Sequence, residues 1–141
     1  MQSKTSNDRS TSSTLSGDGK APELSVVVAS FRDARLLESC LDSLRAQCER
    51  VGAEIIVCRD QARGDLEDFA RRYPEARVIP APPGSTVPVL RGIGMQATRG
   101  AWVALLEDHC VAAEDWLSKL SASFDGSAVV VGGGMGNAQT G

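Results

Sequence analysis

The chain of 141 residues contains one histidine, no Cys-x-x-Cys pair, no surplus of positive charge and no long apolar run. Each absence removes a class of function. With 18 acidic and 15 basic side chains the net charge is −3 and the isoelectric point is near 5.1. A phosphate backbone demands clustered Lys and Arg, so nucleic acid is excluded as the main partner. No apolar stretch approaches the ~20 residues that a bilayer-spanning helix needs, which leaves the membrane periphery as the closest approach to lipid. One histidine gives a Ser-His-Asp triad or a three-ligand zinc site nothing further to rest on. Residues 29–33, the first strand-to-helix turn, hold no glycine, so a Gly-x-Gly-x-x-Gly dinucleotide fingerprint is missing where it is required. No Walker loop occurs either. The four cysteines, Cys40, Cys48, Cys58 and Cys110, lie in apolar surroundings and read as reduced core thiols of a cytoplasmic protein. Cys110 follows His109, but adjacent side chains seldom converge, so a Cys-His catalytic pair is not expected.

Residues 1–22 are expected to be a disordered Ser/Thr-rich tail. Met1 and Leu15 are the only large apolar side chains before Lys20, too few to offset the entropy of ordering. The segment lacks the apolar core of a secretory signal. Residues 23–141 are expected to form one domain. A β-branched run over 24–29 suits a strand buried on both faces. Asp33 can cap a helix in which Leu37, Cys40, Leu41, Leu44 and Cys48 form one apolar stripe. Gly52 ends that helix. Further strands are expected over 54–58, 77–80, 101–106 and 127–132, with helices over 65–72, 85–97 and 113–124. Ser85 is the expected cap of the helix that begins there, with Pro88 tolerated in its first turn. The Gly-rich stretch from Gly132 to Gly136 follows a strand without a helix after it, a poor phosphate cradle. This alternation predicts an α/β fold with a doubly wound, mostly parallel sheet.

In such sheets ligands sit beyond the carboxyl ends of the strands. There the apolar run 101–106 gives way to Glu107-Asp108-His109, three side chains able to compete for a metal. A solvated turn is the plain alternative. Asp108 and His109 are the natural ligands for a divalent cation. Mg²⁺ prefers oxygen-only shells, whereas an imidazole leans toward Mn²⁺. The second strand ends in Arg59-Asp60, where Asp60 can accept from a base imide or a ribose hydroxyl, or serve only as a loop aspartate. Arg91, on the helix before the fourth strand, can reach a phosphate or ribose, or stand as a surface charge.

Together these segments resemble the family 2 glycosyltransferases of the GT-A fold. The family's opening Val-Val-Ile-Pro-Thr-Tyr-Asn segment is similar to Val26-Val27-Val28-Ala29-Ser30-Phe31-Arg32. Its Asp-Asp-Gly-Ser is Arg59-Asp60-Gln61-Ala62 here, keeping only the second aspartate. Its Ala-Arg-Asn-x-Gly helix resembles Leu90-Arg91-Gly92-Ile93-Gly94. Its Arg-Gly-x-x-Val-x-x-Leu-Asp-x-Asp runs from Arg99 to His109, and Asp115-Trp116-Leu117 follows as the family's Asp-Trp-Leu does. The resemblance covers 23 to about 137. It implies a nucleotide-diphospho-sugar site formed by Ala29, Ser30, Phe31, Asp60, Arg91, Glu107 and Asp108. A Mn²⁺ or Mg²⁺ ion at Asp108 and His109 would bridge the donor diphosphate, and the acceptor is unknown. It also implies an acceptor half with the catalytic base beyond Gly141, so the chain reads as the donor-binding portion, truncated before that half. The final strand would then leave a sheet edge open to self-association. Two rival readings are a catalytically silent binding or assembly module of the same fold, and a nucleotidyltransferase-like enzyme. The latter wants a Gly-rich basic loop after the first strand, which 29–33 is not.

Overall fold

A computed structural model describes residues 21–123. The first twenty residues, the expected strand over 127–132 and the Gly-rich stretch after it lie outside the described residues. The elements run β1 (Leu24–Ser30), α1 (Ala34–Val51), β2 (Glu54–Asp60), a single 3₁₀ turn (Gln61–Arg63), α2 (Leu66–Arg72), β3 (Ala76–Ala81), α3 (Val87–Gln96), β4 (Trp102–Glu107) and α4 (Trp116–Ala122). The four strands form one parallel sheet in the order β3-β2-β1-β4.

The β-branched run of β1 is central because it can be buried from both sides, and all seven of its residues are buried. Its alternate side chains feed two cores. Val26 and Val28, with Ile55 and Val57 of β2, meet the α1 stripe of Leu37, Cys40, Leu41, Leu44 and Cys48, together with Phe69 of α2 and Leu117 of α4. Ala29, with Cys58 and Ala81, meets Leu90 of α3 on the opposite face. Helices thus cover both faces, as the doubly wound expectation requires. The chain passes from β1 outward to β3, then crosses back to place β4 on the other side of β1. That reversal makes the carboxyl ends of β1 and β4 the topological switch point, the place of the crevice in which open α/β sheets bind ligands.

Local chemistry explains the differences at element ends. Asp33 sits at the start of α1, but its side chain makes no capping bond and instead lies 3.8 Å from Arg63. Thr86 rather than Ser85 caps α3, its hydroxyl accepting from the Val89 amide, while the Ser85 hydroxyl donates to the Pro82 carbonyl at 2.6 Å. Helix α4 starts three residues later than its sequence suggests, because side chains of α1 hold the preceding segment in coil and turn. Ser43 accepts from the Ala112 amide at 2.9 Å and Gln47 donates to the Ala113 carbonyl at 2.8 Å. Gln47 also accepts from the Leu117 amide at 2.8 Å, satisfying an end group of α4 that has no partner within the helix. Among the described residues no helix is long and apolar enough to cross a membrane.

Candidate functional site

Strand β4 extends through Glu107, so the alternation of side chains continues past the apolar run. Successive residues therefore face opposite sides of the sheet, and Glu107 and Asp108 part company. Asp108 turns to the α1–α2 side and is fully buried. Its Oδ2 accepts from the Ser30 hydroxyl at 3.0 Å, the Phe31 amide at 2.9 Å and the Arg32 amide at 2.7 Å. Its Oδ1 is buried without a hydrogen-bond partner, 3.4 Å from Arg32 Nε. Asp108 thereby fastens the turn after β1 to the end of β4.

Glu107 faces the crevice with its side chain one-quarter exposed. Its Oε2 lies 3.3 Å from Arg91 of α3, and its Oε1 lies 3.9 Å from Arg32 and 3.6 Å from Nδ1 of the half-exposed His109. Arg32 also lies over the Phe31 ring, 4.7 Å from its centroid. The Nε atoms of both Arg32 and Arg91 are buried with no hydrogen-bond partner. Two guanidinium groups and an imidazole thus surround one carboxylate at the switch point. The Arg91–Glu107 pair is partly exposed and contributes little to stability, so Arg91 loses little by turning toward an incoming anion.

Asp60 ends β2, with β1 between it and β4, which puts the two strand ends about 10 Å apart. Its two oxygens accept from the Ala62 amide at 2.8 Å and the Gly84 amide at 2.9 Å. Asp60 therefore joins the turn after β2 to the Pro-rich loop after β3, and each oxygen keeps a lone pair for a ligand. Ala29 and Ser30 are fully buried and shape the floor. Of the residues singled out from sequence, the structure brings Phe31, Arg91, Glu107 and His109 to one crevice edge, seats Asp60 beside it and turns Asp108 away beneath it.

The fit of a divalent cation can be judged from these donors. Among the described residues no three His, Cys, Asp or Glu side chains converge on one point. Glu107 Oε1 and His109 Nδ1 are 3.6 Å apart, a separation that a cation bonded at about 2.1 Å to each can bridge. They offer two donors to a cation, and a phosphate and water would have to complete its shell. Asp108, expected from sequence as a ligand, has one oxygen saturated by three donors and the other beneath Arg32.

The three buried cysteines offer no thiolate. Burial pushes the Cys40 thiol up to about 12, with Cys110, Asp108 and Cys48 nearby adding to the shift, and burial alone puts Cys48 at about 12 and Cys58 at about 11. Such thiols stay protonated at neutral pH and are poor nucleophiles.

Sequence reasoning missed Arg59. A charged residue ending an otherwise apolar strand reads as solvent-facing, yet Arg59 is fully buried. Its position two residues after Val57, on the same face, and six before an acid, Asp65, was the available signal. It also missed Arg32 as a member of the crevice. Compared with known protein families, residues 25–140 match glycosyl transferase family 2. No curated protein matches the chain.

Proposed function

Because the chain belongs to glycosyl transferase family 2, we propose that the crevice at the ends of β1 and β4 binds the nucleotide diphosphate of a sugar donor. The observation that carries this reading is the convergence of Arg32, Arg91 and His109 around Glu107 at the switch point of the sheet. Arg32 and Arg91 offer planar donor forks suited to phosphate oxygens. Asp60 and the backbone of residues 29–31 lie on the side where the nucleoside would extend, about one nucleoside length from Glu107.

A divalent cation, Mn²⁺ or Mg²⁺, would be held by Glu107 and His109, and when bound it supplies charge neutralisation for the departing diphosphate. A shell containing an imidazole favours Mn²⁺. The acceptor hydroxyl and the base that deprotonates it are not assigned to any described residue.

Calorimetric titration with UDP and GDP, each with Mn²⁺ and with a chelator, tests the reading. Binding should strengthen with Mn²⁺, and Glu107→Gln and His109→Ala should each remove at least about 10-fold of that gain, the scale on which even outer ligand partners act. Equal binding in chelator would sink the metal platform. No binding of either diphosphate would sink the donor site.

A further inference from the structure

We propose that Arg59 is a positioning residue that, through Ser30 and Asp108, locks the turn after β1 into the shape the donor crevice needs. The inference rests on the donor-site reading for its purpose, though not for its geometry. A fully buried guanidinium is tolerated only where its charge and donors are matched, and each of the three nitrogens of Arg59 has a hydrogen-bond partner. Its Nε and NH2 grip Asp65 with a two-pronged pair of bonds at 2.7 and 2.8 Å. Its NH1 donates to the Ser30 hydroxyl at 2.7 Å, which in turn donates to Asp108 Oδ2. NH1 itself lies 3.9 Å from that oxygen, and the Phe69 ring lies 5.2 Å from the guanidinium carbon.

The consequence reaches the crevice through the backbone. The Asp108 oxygen that takes the Ser30 hydroxyl also takes the amides of Phe31 and Arg32. One chain of bonds therefore runs from the approach to α2, through the ends of β2 and β1, to the end of β4. It fixes the two residues whose side chains stand at the crevice, and it fixes the strand end that presents Glu107 and His109. Lysine cannot replace Arg59, because a single ammonium cannot fork Asp65 and reach Ser30 in the same geometry.

Amide hydrogen exchange, followed residue by residue, and UDP and GDP affinity test the lock in the 141-residue chain and its Arg59→Lys, Asp108→Asn and Ser30→Ala variants. Exchange at Phe31 and Arg32 should rise about 10-fold or more in the first two, with nucleotide affinity falling by a similar factor. The core amides of Val27 and Val57 should keep their protection. Ser30→Ala removes only the hydroxyl relay and should move both readouts the same way by less, which keeps the test decisive if Arg59→Lys fails to fold. Unchanged exchange at Phe31 and Arg32 in Ser30→Ala and Asp108→Asn would overturn the lock, as would an affinity loss that merely tracks lost core protection. If the unaltered chain binds neither diphosphate, the donor reading fails while the exchange comparison still decides the lock.

Discussion

Asp65 stands about one-quarter exposed, yet it holds the countercharge fork for a guanidinium with no exposure at all. The hydrogen bonds from Arg59 lower the Asp65 carboxyl below its ordinary 3.8, against a smaller opposing effect of burial. A carboxyl with a depressed native pKa contributes stability that is present above the unfolded value and lost as pH falls through the native one. Asp65→Asn should therefore destabilise the chain by about 3 kcal/mol, since it removes the charge of the carboxylate that Arg59 grips with two bonds and leaves Asp108, 3.9 Å away, as its nearest countercharge. It should also flatten the acid limb of the stability profile. Urea unfolding between neutral and acidic pH checks both, and an unchanged acid limb would show that Asp65 does not carry it. The same cluster shows what sequence conveys at this scale. The acids and the imidazole at the end of β4 could be located from the break in the apolar run, but not their sidedness. A strand ending at Leu106 leaves the orientation of Glu107 and Asp108 open. One more residue of strand sends Glu107 to the crevice and Asp108 beneath it.

Helix α3 packs on β1 through a glycine, and its two glycines make a controlled pair. A Cβ on Gly94 would stand 2.6 Å from the Val27 Cγ1 atom, whereas a Cβ on Gly92 meets nothing within 4 Å. Val27 is β-branched and fully buried, so it cannot swing aside. Gly94→Ala should cost about 1–3 kcal/mol through overpacking. Gly92→Ala should stabilise by about 0.5–1 kcal/mol through helix propensity. Parallel urea titrations decide it, and equal effects would mean that α3 does not sit as close to β1 as described. Elements of this kind were legible where the code is local: the β-branched runs of β1 and β2, the apolar stripe of α1 and the glycine that ends it. Their limits were less so where tertiary bonds rule. Nothing within residues 111–115 foretells that Ser43 and Gln47, some seventy positions earlier in the chain, will delay α4.

For the molecule as a whole, the parallel order β3-β2-β1-β4 does the positioning: it gathers residues from opposite ends of the described chain at one crevice. Arg32 comes from the turn after β1, Arg91 from α3, and Glu107 and His109 from the end of β4. The opposite end of the sheet, around Leu24, Glu54 and Gly100, carries a separate set of contacts, among them the Arg99–Glu54 ion pair at 3.1 Å. We propose that the nucleotide diphosphate and its cation occupy the first end. The most direct measurement is the nuclear magnetic resonance spectrum of the isotope-labelled chain with UDP or GDP, before and after trace Mn²⁺, whose unpaired electrons broaden the amide signals nearest to it. Broadening is expected at Phe31, Arg32, Glu107 and His109, with Leu24, Glu54 and Gly100 left sharp. Broadening centred on the opposite end, or signals at the crevice that stay sharp while nucleotide binds, would contradict it.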